Sequence, residues 1–162
     1  MEQYFKFSVV RNPYDRLASI YKYLGYCYVM SFDDFINKET RYQLKANSDR
    51  RYFFKPQKEF LVNDQGNISV DKIIKLEEIS SEILDVFNVA GIKLDGLPHV
   101  NASPKQGVIQ SLKSKAKYLR KGYFSIKVKN KIEWSERLKE AVYDFYLCDF
   151  EEFGYSRRSG KS

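Results

Sequence analysis

Between Phe5 and Val9, apolar and polar residues alternate: Phe5, Phe7 and Val9 are separated by Lys6 and Ser8. That period of two predicts a half-buried strand, with the three apolar residues on its inner face. A few residues later the period changes. Leu17, Ile20, Tyr21 and Leu24 recur at helical spacing and form one apolar stripe. Asn12 stands where an N-cap belongs, Pro13 at the first helical position and Asp15 in the first turn. Gly25 closes this helix as the residue just past its end. Ser31, with Asp34 three residues on, caps a short second helix whose apolar side is Phe32, Phe35 and Ile36. Residues 38–51 are polar and read as a loop. Phe53 and Phe54 break that polarity, and large aromatics of this kind read as core.

The second half repeats the alternation of strand and helix. Phe60-Leu61-Val62 is a short apolar run, and residues 63–67 carry turn chemistry. Residues 71–76, with Ile73 and Ile74, predict a buried strand. Ile79, Ile83, Val86, Phe87 and Ala90 then predict an amphipathic helix ended by Gly91. Strand, helix, strand, helix predicts an α/β fold, a parallel sheet flanked by helices. Leu97-Pro-His-Val-Asn-Ala-Ser103 reads as an ordered loop. Trp134, Leu138, Ala141, Val142 and Phe145 stripe a C-terminal helix expected to pack on the sheet.

The chain has 162 residues, the size of one domain, expected over residues 1–158 with a short tail at 159–162. No apolar run is long enough to cross a bilayer and no secretory leader is evident, so a cytoplasmic location is expected. Two cysteines, Cys27 and Cys148, give neither a disulfide framework nor metal spacing, and one histidine, His99, cannot build a histidine metal site. No metal is expected. The net charge of +7 favours anionic partners. Between Gly96 and Ile132 there is no acidic residue, and Tyr118, Tyr123 and Phe124 interleave with lysines. That pattern also suits a basic nucleic-acid-binding module, which stands as an alternative function.

The candidate chemistry lies where the first strand meets the first helix. Arg11, the amides of a helix start and the Ser19 hydroxyl border one spot, and helix starts attract anions. Here the chain resembles a known family. Val10-Arg-Asn-Pro-Tyr-Asp-Arg-Leu-Ala-Ser19 is similar to the 3′-phosphate-binding signature of sulfotransferases that use 3′-phosphoadenosine 5′-phosphosulfate, above all the carbohydrate branch. Later segments resemble the family in the same order: Pro56-Gln57 with Phe60-Leu61, then Val70 to Glu77, then Leu97 to Ser103, then Tyr146-x-x-Asp149-Phe150-x-x-Phe153-Gly154-Tyr155. The resemblance implies a P-loop-like sulfotransferase fold, with Arg11 and Ser19 on the nucleotide's 3′-phosphate and Asn101 and Ser103 near its phosphates. The implied reaction is sulfuryl transfer to a carbohydrate hydroxyl.

In that family a loop upstream of this strand grips the 5′-phosphosulfate. Nothing before Tyr4 supplies it, so the fold is expected to be N-terminally incomplete. The expected alternatives are a fragment, a split gene product whose other half or a second chain supplies the loop, and a degenerate, inactive remnant. Where many members place a histidine before Pro-Gln, this chain has Phe53. The base is therefore unassigned among Glu59, Glu77 and His99.

Overall fold

The structure is a computed structural model and describes residues 4–92 and 131–157. Strand β1 (Phe7–Val10) pairs in parallel with β2 (Lys72–Lys75), Phe7 opposite Lys72 and Val10 opposite Lys75. Parallel neighbours need a crossover between them. Here the crossover carries α1 (Pro13–Tyr23), a single α turn α2 (Phe32–Asp34), a π-helical stretch Phe35–Thr40, α3 (Arg41–Lys45) and α4 (Arg51–Phe54). After β2 come α5 (Ile79–Val89), then α6 (Glu136–Phe145) and α7 (Leu147–Phe153). Helices and a small parallel sheet thus make the α/β arrangement that the alternation predicts. Among the described residues the sheet has two strands.

The predicted helix signals hold. The Asn12 side chain caps α1, Pro13 opens it, and Gly25 follows it with φ +77°, a left-handed conformation open to glycine without strain. Ser31 accepts from the Asp34 amide, as a capping residue should. Gly91 follows α5 with φ +71°.

Three expectations need correction. In β1 it is Val10 that is buried, while Phe5, Phe7 and Val9 keep about 40% of their surface exposed (38%, 40% and 39%). The alternation is real, but the inward face is set by what packs against it. Val10 meets Leu61 and Phe153 below the strand's end, so the opposite parity turns inward. Residues 38–51 are not a loop throughout, since the helical path from Phe32 continues to Lys45. Its inner side is partly polar, with Thr40 and Gln43 buried. Glu39 accepts from Tyr26 Oη (2.6 Å) and Gln43 Nε2 (2.9 Å), so hydrogen bonds take the place of apolar packing at Gln43, whereas the Thr40 hydroxyl has no hydrogen-bond partner among the described residues. Finally, α6 packs beside α1 and the π-helical stretch rather than on the sheet, with Leu138 and Val142 in the helical core.

That core is aromatic. Tyr14, Tyr21, Tyr26, Phe32, Phe35, Phe54, Tyr146 and Phe150 interlock around α1, many with ring centroids about 5 Å apart, as in Tyr14–Phe150 at 5.1 Å and Tyr21–Phe35 at 5.1 Å. Buried tyrosine hydroxyls need acceptors and find them. Tyr14 donates to the Arg157 carbonyl (2.7 Å), Tyr21 to Met30 (2.7 Å) and Tyr146 to Phe54 (2.7 Å). A smaller cluster of Ile74, Ile83 and Val86 joins β2 to α5. Cys27 is buried in the helical core as a small apolar residue.

Candidate functional site

The β1–α1 corner consists of Arg11 and Asn12. Asn12 is buried. Its side chain accepts from the Tyr14 amide (2.9 Å), its carbonyl accepts from Arg16 (2.9 Å), and its own amide donates to Glu77 Oε1 (2.9 Å). Glu77 stands just past β2, beside β1 in the parallel sheet, so the pairing brings it to the corner. Its second oxygen accepts from Tyr155 Oη at 3.1 Å. Burial together with the Glu77 charge pushes the Tyr155 hydroxyl far above the ordinary tyrosine range, keeping it a proton donor there.

One residue earlier, the Arg11 peptide is held on both sides by one carboxamide. The Arg11 amide donates to Gln57 Oε1 (2.9 Å), and Gln57 Nε2 donates to the Arg11 carbonyl (2.7 Å). Gln57 is itself anchored. Asp149, fully buried in α7, accepts from the Gln57 amide at 2.8 Å and from the Lys58 amide at 2.9 Å. Just upstream, Arg16 Nη1 donates to the Lys55 carbonyl (2.7 Å) and Tyr146 Oη to the Phe54 carbonyl. Burial pulls the Arg16 guanidinium below its usual range, opposed by nearby Tyr146 and Asp149. Burial raises the Tyr146 hydroxyl.

What this scaffold leaves unspent is the chemistry. Arg11 and Ser19 are half-buried, and among the described residues neither the guanidinium nor the hydroxyl has a hydrogen-bond or ion-pair partner. Ser19 lies two turns into α1, about 10 Å along its axis from the N-cap. It shares a helix face with Arg16 and with Tyr23, whose ring stands 6.2 Å from Phe53. An unpaired cation beside a helix start, with a hydroxyl further along the same helix, suits an anion with oxygens to share. Asn101, Ser103 and His99 lie outside the described residues. Among those residues no group of histidine, cysteine and acidic side chains could hold a metal.

The two carboxylates considered as bases are both engaged. Glu77 serves Asn12 and Tyr155, and Glu59 pairs with Lys55 (3.1 Å). Phe54 is core as expected, but Phe53 is 40% exposed and only its partner sinks inward.

A model of the Sulfotransferase family matches residues 1–156. The chain belongs to the sulfotransferase family. No curated protein and no solved structure matches it. Family membership makes the protein a transferase by kinship and implies a nucleotide donor and an acceptor substrate. It also gives meaning to a convergence within the described residues. The segments that carry the sequence resemblance are far apart in the chain, yet Arg11-Asn12, Gln57, Glu77, Asp149 and Tyr155 are joined by hydrogen bonds at one corner. Asp149, Arg16 and Gln57 carry no site role in the sequence pattern, although Gln57 and Asp149 lie in the segments that resemble the family. The available signal was the acidic residue inside Leu147-Cys-Asp149-Phe150, since a carboxylate in an apolar run must be buried with partners or break the helix packing.

Proposed function

We propose that this protein binds the 3′-phosphate of 3′-phosphoadenosine 5′-phosphosulfate through Arg11 and Ser19 and catalyses sulfuryl transfer to a carbohydrate hydroxyl. The observation that carries the reading is the contrast at the corner. The Arg11 backbone is fixed by Gln57, while its guanidinium has no partner among the described residues. A fixed base with a free charged end is pre-organised for a phosphate. Guanidinium offers a planar fork of donors, and a serine hydroxyl adds one more.

The bound nucleotide supplies the activated sulfuryl group. The chain's own task at this corner is to hold the nucleotide by its ribose phosphate, so that the reacting end is aligned with the acceptor. Arg11 and Ser19 are binding residues in this scheme. Asn101 and Ser103 are proposed as further phosphate contacts. The grip on the 5′-phosphosulfate, in a P-loop-like segment, is proposed to come from elsewhere than the described corner, including a second polypeptide. The proposed setting is the cytoplasm.

Titration with adenosine 3′,5′-bisphosphate tests the reading. Saturable binding that exceeds binding of adenosine 5′-phosphate is the expected result. Absence of binding at millimolar bisphosphate, with the fold intact by circular dichroism, overturns it.

A further inference from the structure

The contacts around Arg11 form a chain with a direction. Asp149 is the fixed end, since it is fully buried and anchored on α7 by Phe150 and Phe153 in the core. It takes the amides of Gln57 and Lys58 at the start of the 3₁₀ turn Gln57–Phe60. The segment leading to that turn is tied at two further carbonyls, Phe54 by Tyr146 and Lys55 by Arg16. Gln57 therefore has its backbone fixed by groups from α1, α6's end and α7. Its carboxamide then reaches across to β1 and satisfies both backbone polar groups of Arg11, the amide at 2.9 Å and the carbonyl at 2.7 Å. Arg11 lies immediately past the last paired residue of β1, where the ladder to β2 has ended. A side-chain carboxamide, offering its oxygen and one of its two N–H donors, substitutes there for a neighbouring strand.

We propose that Gln57 is the positioning residue for Arg11, and that Asp149 acts through Gln57 to set where the guanidinium stands. The inference rests on the proposed role of Arg11 in binding the nucleotide's 3′-phosphate. Gln57 touches no ligand in this scheme. It fixes the peptide from which the Arg11 side chain departs, so its loss misplaces one charge and leaves the rest of the nucleotide site alone.

The test uses two ligands and two backgrounds. Adenosine 3′,5′-bisphosphate and adenosine 5′-phosphate are titrated into the full chain, into Gln57→Met, into Arg11→Ala and into the double variant, with thermal melts to confirm folding. The expected result is a loss of bisphosphate affinity in Gln57→Met of about tenfold, the effect of a charge-assisted hydrogen bond put out of reach. Affinity for the 5′-phosphate stays unchanged, and Gln57→Met has no further effect once Arg11 is alanine. Equal losses for both ligands, the same loss in the Arg11→Ala background, or no loss at all overturns the proposal. If Gln57→Met loses the fold, Gln57→Asn is read the same way, because it keeps the amide and shortens its reach by one methylene. A wild-type chain with no preference for the bisphosphate over the 5′-phosphate sinks the phosphate reading itself, a different failure from a preference that Gln57 does not affect.

Discussion

At the residue scale, neighbours divide the labour at the corner. Asn12 is wholly structural: side chain, carbonyl and amide are each engaged in holding the turn. Arg11 has its backbone engaged and its charge to spare. Replacing Arg11 by alanine is thus expected to leave the melting temperature nearly unchanged and to weaken adenosine 3′,5′-bisphosphate by about tenfold or more, since hydrogen bonds to charged groups are the stronger ones. Ser19→Ala is expected to lose less, about fivefold, as one neutral donor is removed. Calorimetric titration of both variants checks the order. Tyrosines give a second prediction. Burial raises Tyr14 to about 12, against an ordinary value near 10. A group raised in the folded state keeps its proton there after the unfolded chain has lost it. Its contribution to stability is therefore complete below about pH 10 and is lost as pH climbs from there through about 12. Urea midpoints measured from pH 8 to pH 12 are expected to be level and then fall. A fall that is just as steep in Tyr14→Phe would deny Tyr14 a part in it.

At the element scale, the two adjacent phenylalanines separate packing from exposure. Phe54 is fully buried among Tyr26 and Phe35, whereas Phe53 lies at the surface against Tyr23. Phe54→Ala is expected to cost about 3–5 kcal/mol and Phe53→Ala less than about 1 kcal/mol, by urea denaturation. Similar values would mean that the turn of α4 is misassigned. This pair also shows what a sequence makes legible. Elements marked by local chemistry were readable: Asn12-Pro13, Ser31 with Asp34, Gly25 and Gly91 each announce a boundary within a few residues. The β2 strand and its parallel pairing followed from apolar runs. What was hidden depends on distant partners. The inward face of β1 is decided by Leu61 and Phe153, far along the chain. The helical path through Gln43 lacks a continuous apolar stripe because the buried Gln43 side chain is bonded to Glu39 and Ser48 instead. The site shares this split. Arg11 and Ser19 stand out in the segment that resembles the family signature, while the Gln57–Asp149 link spans ninety-two positions, and the carboxylate in its apolar run marks one end without naming its partner.

At the scale of the whole molecule, the last two described helices bind the corner to the core. They, with Tyr146 between the two, contribute Leu138, Val142, the Tyr146 ring and Phe150 to the same aromatic cluster that α1 faces, and Asp149 to the segment that clamps Arg11. Asp149→Ala leaves two backbone amides without their acceptor and is expected to destabilise the protein by about 2–5 kcal/mol, measured by urea denaturation. A change below about 0.5 kcal/mol would show that water or a neighbour replaces the carboxylate readily. Sulfotransferase membership, the convergence of distant segments on one corner and the unspent charge of Arg11 all bear on one claim, that this corner holds a ribose phosphate. The measurement that tests it most directly is a crystal structure with adenosine 3′,5′-bisphosphate bound. The 3′-phosphate is expected within hydrogen-bonding distance of both the Arg11 guanidinium and the Ser19 hydroxyl. A nucleotide bound with its 3′-phosphate away from both side chains would contradict it.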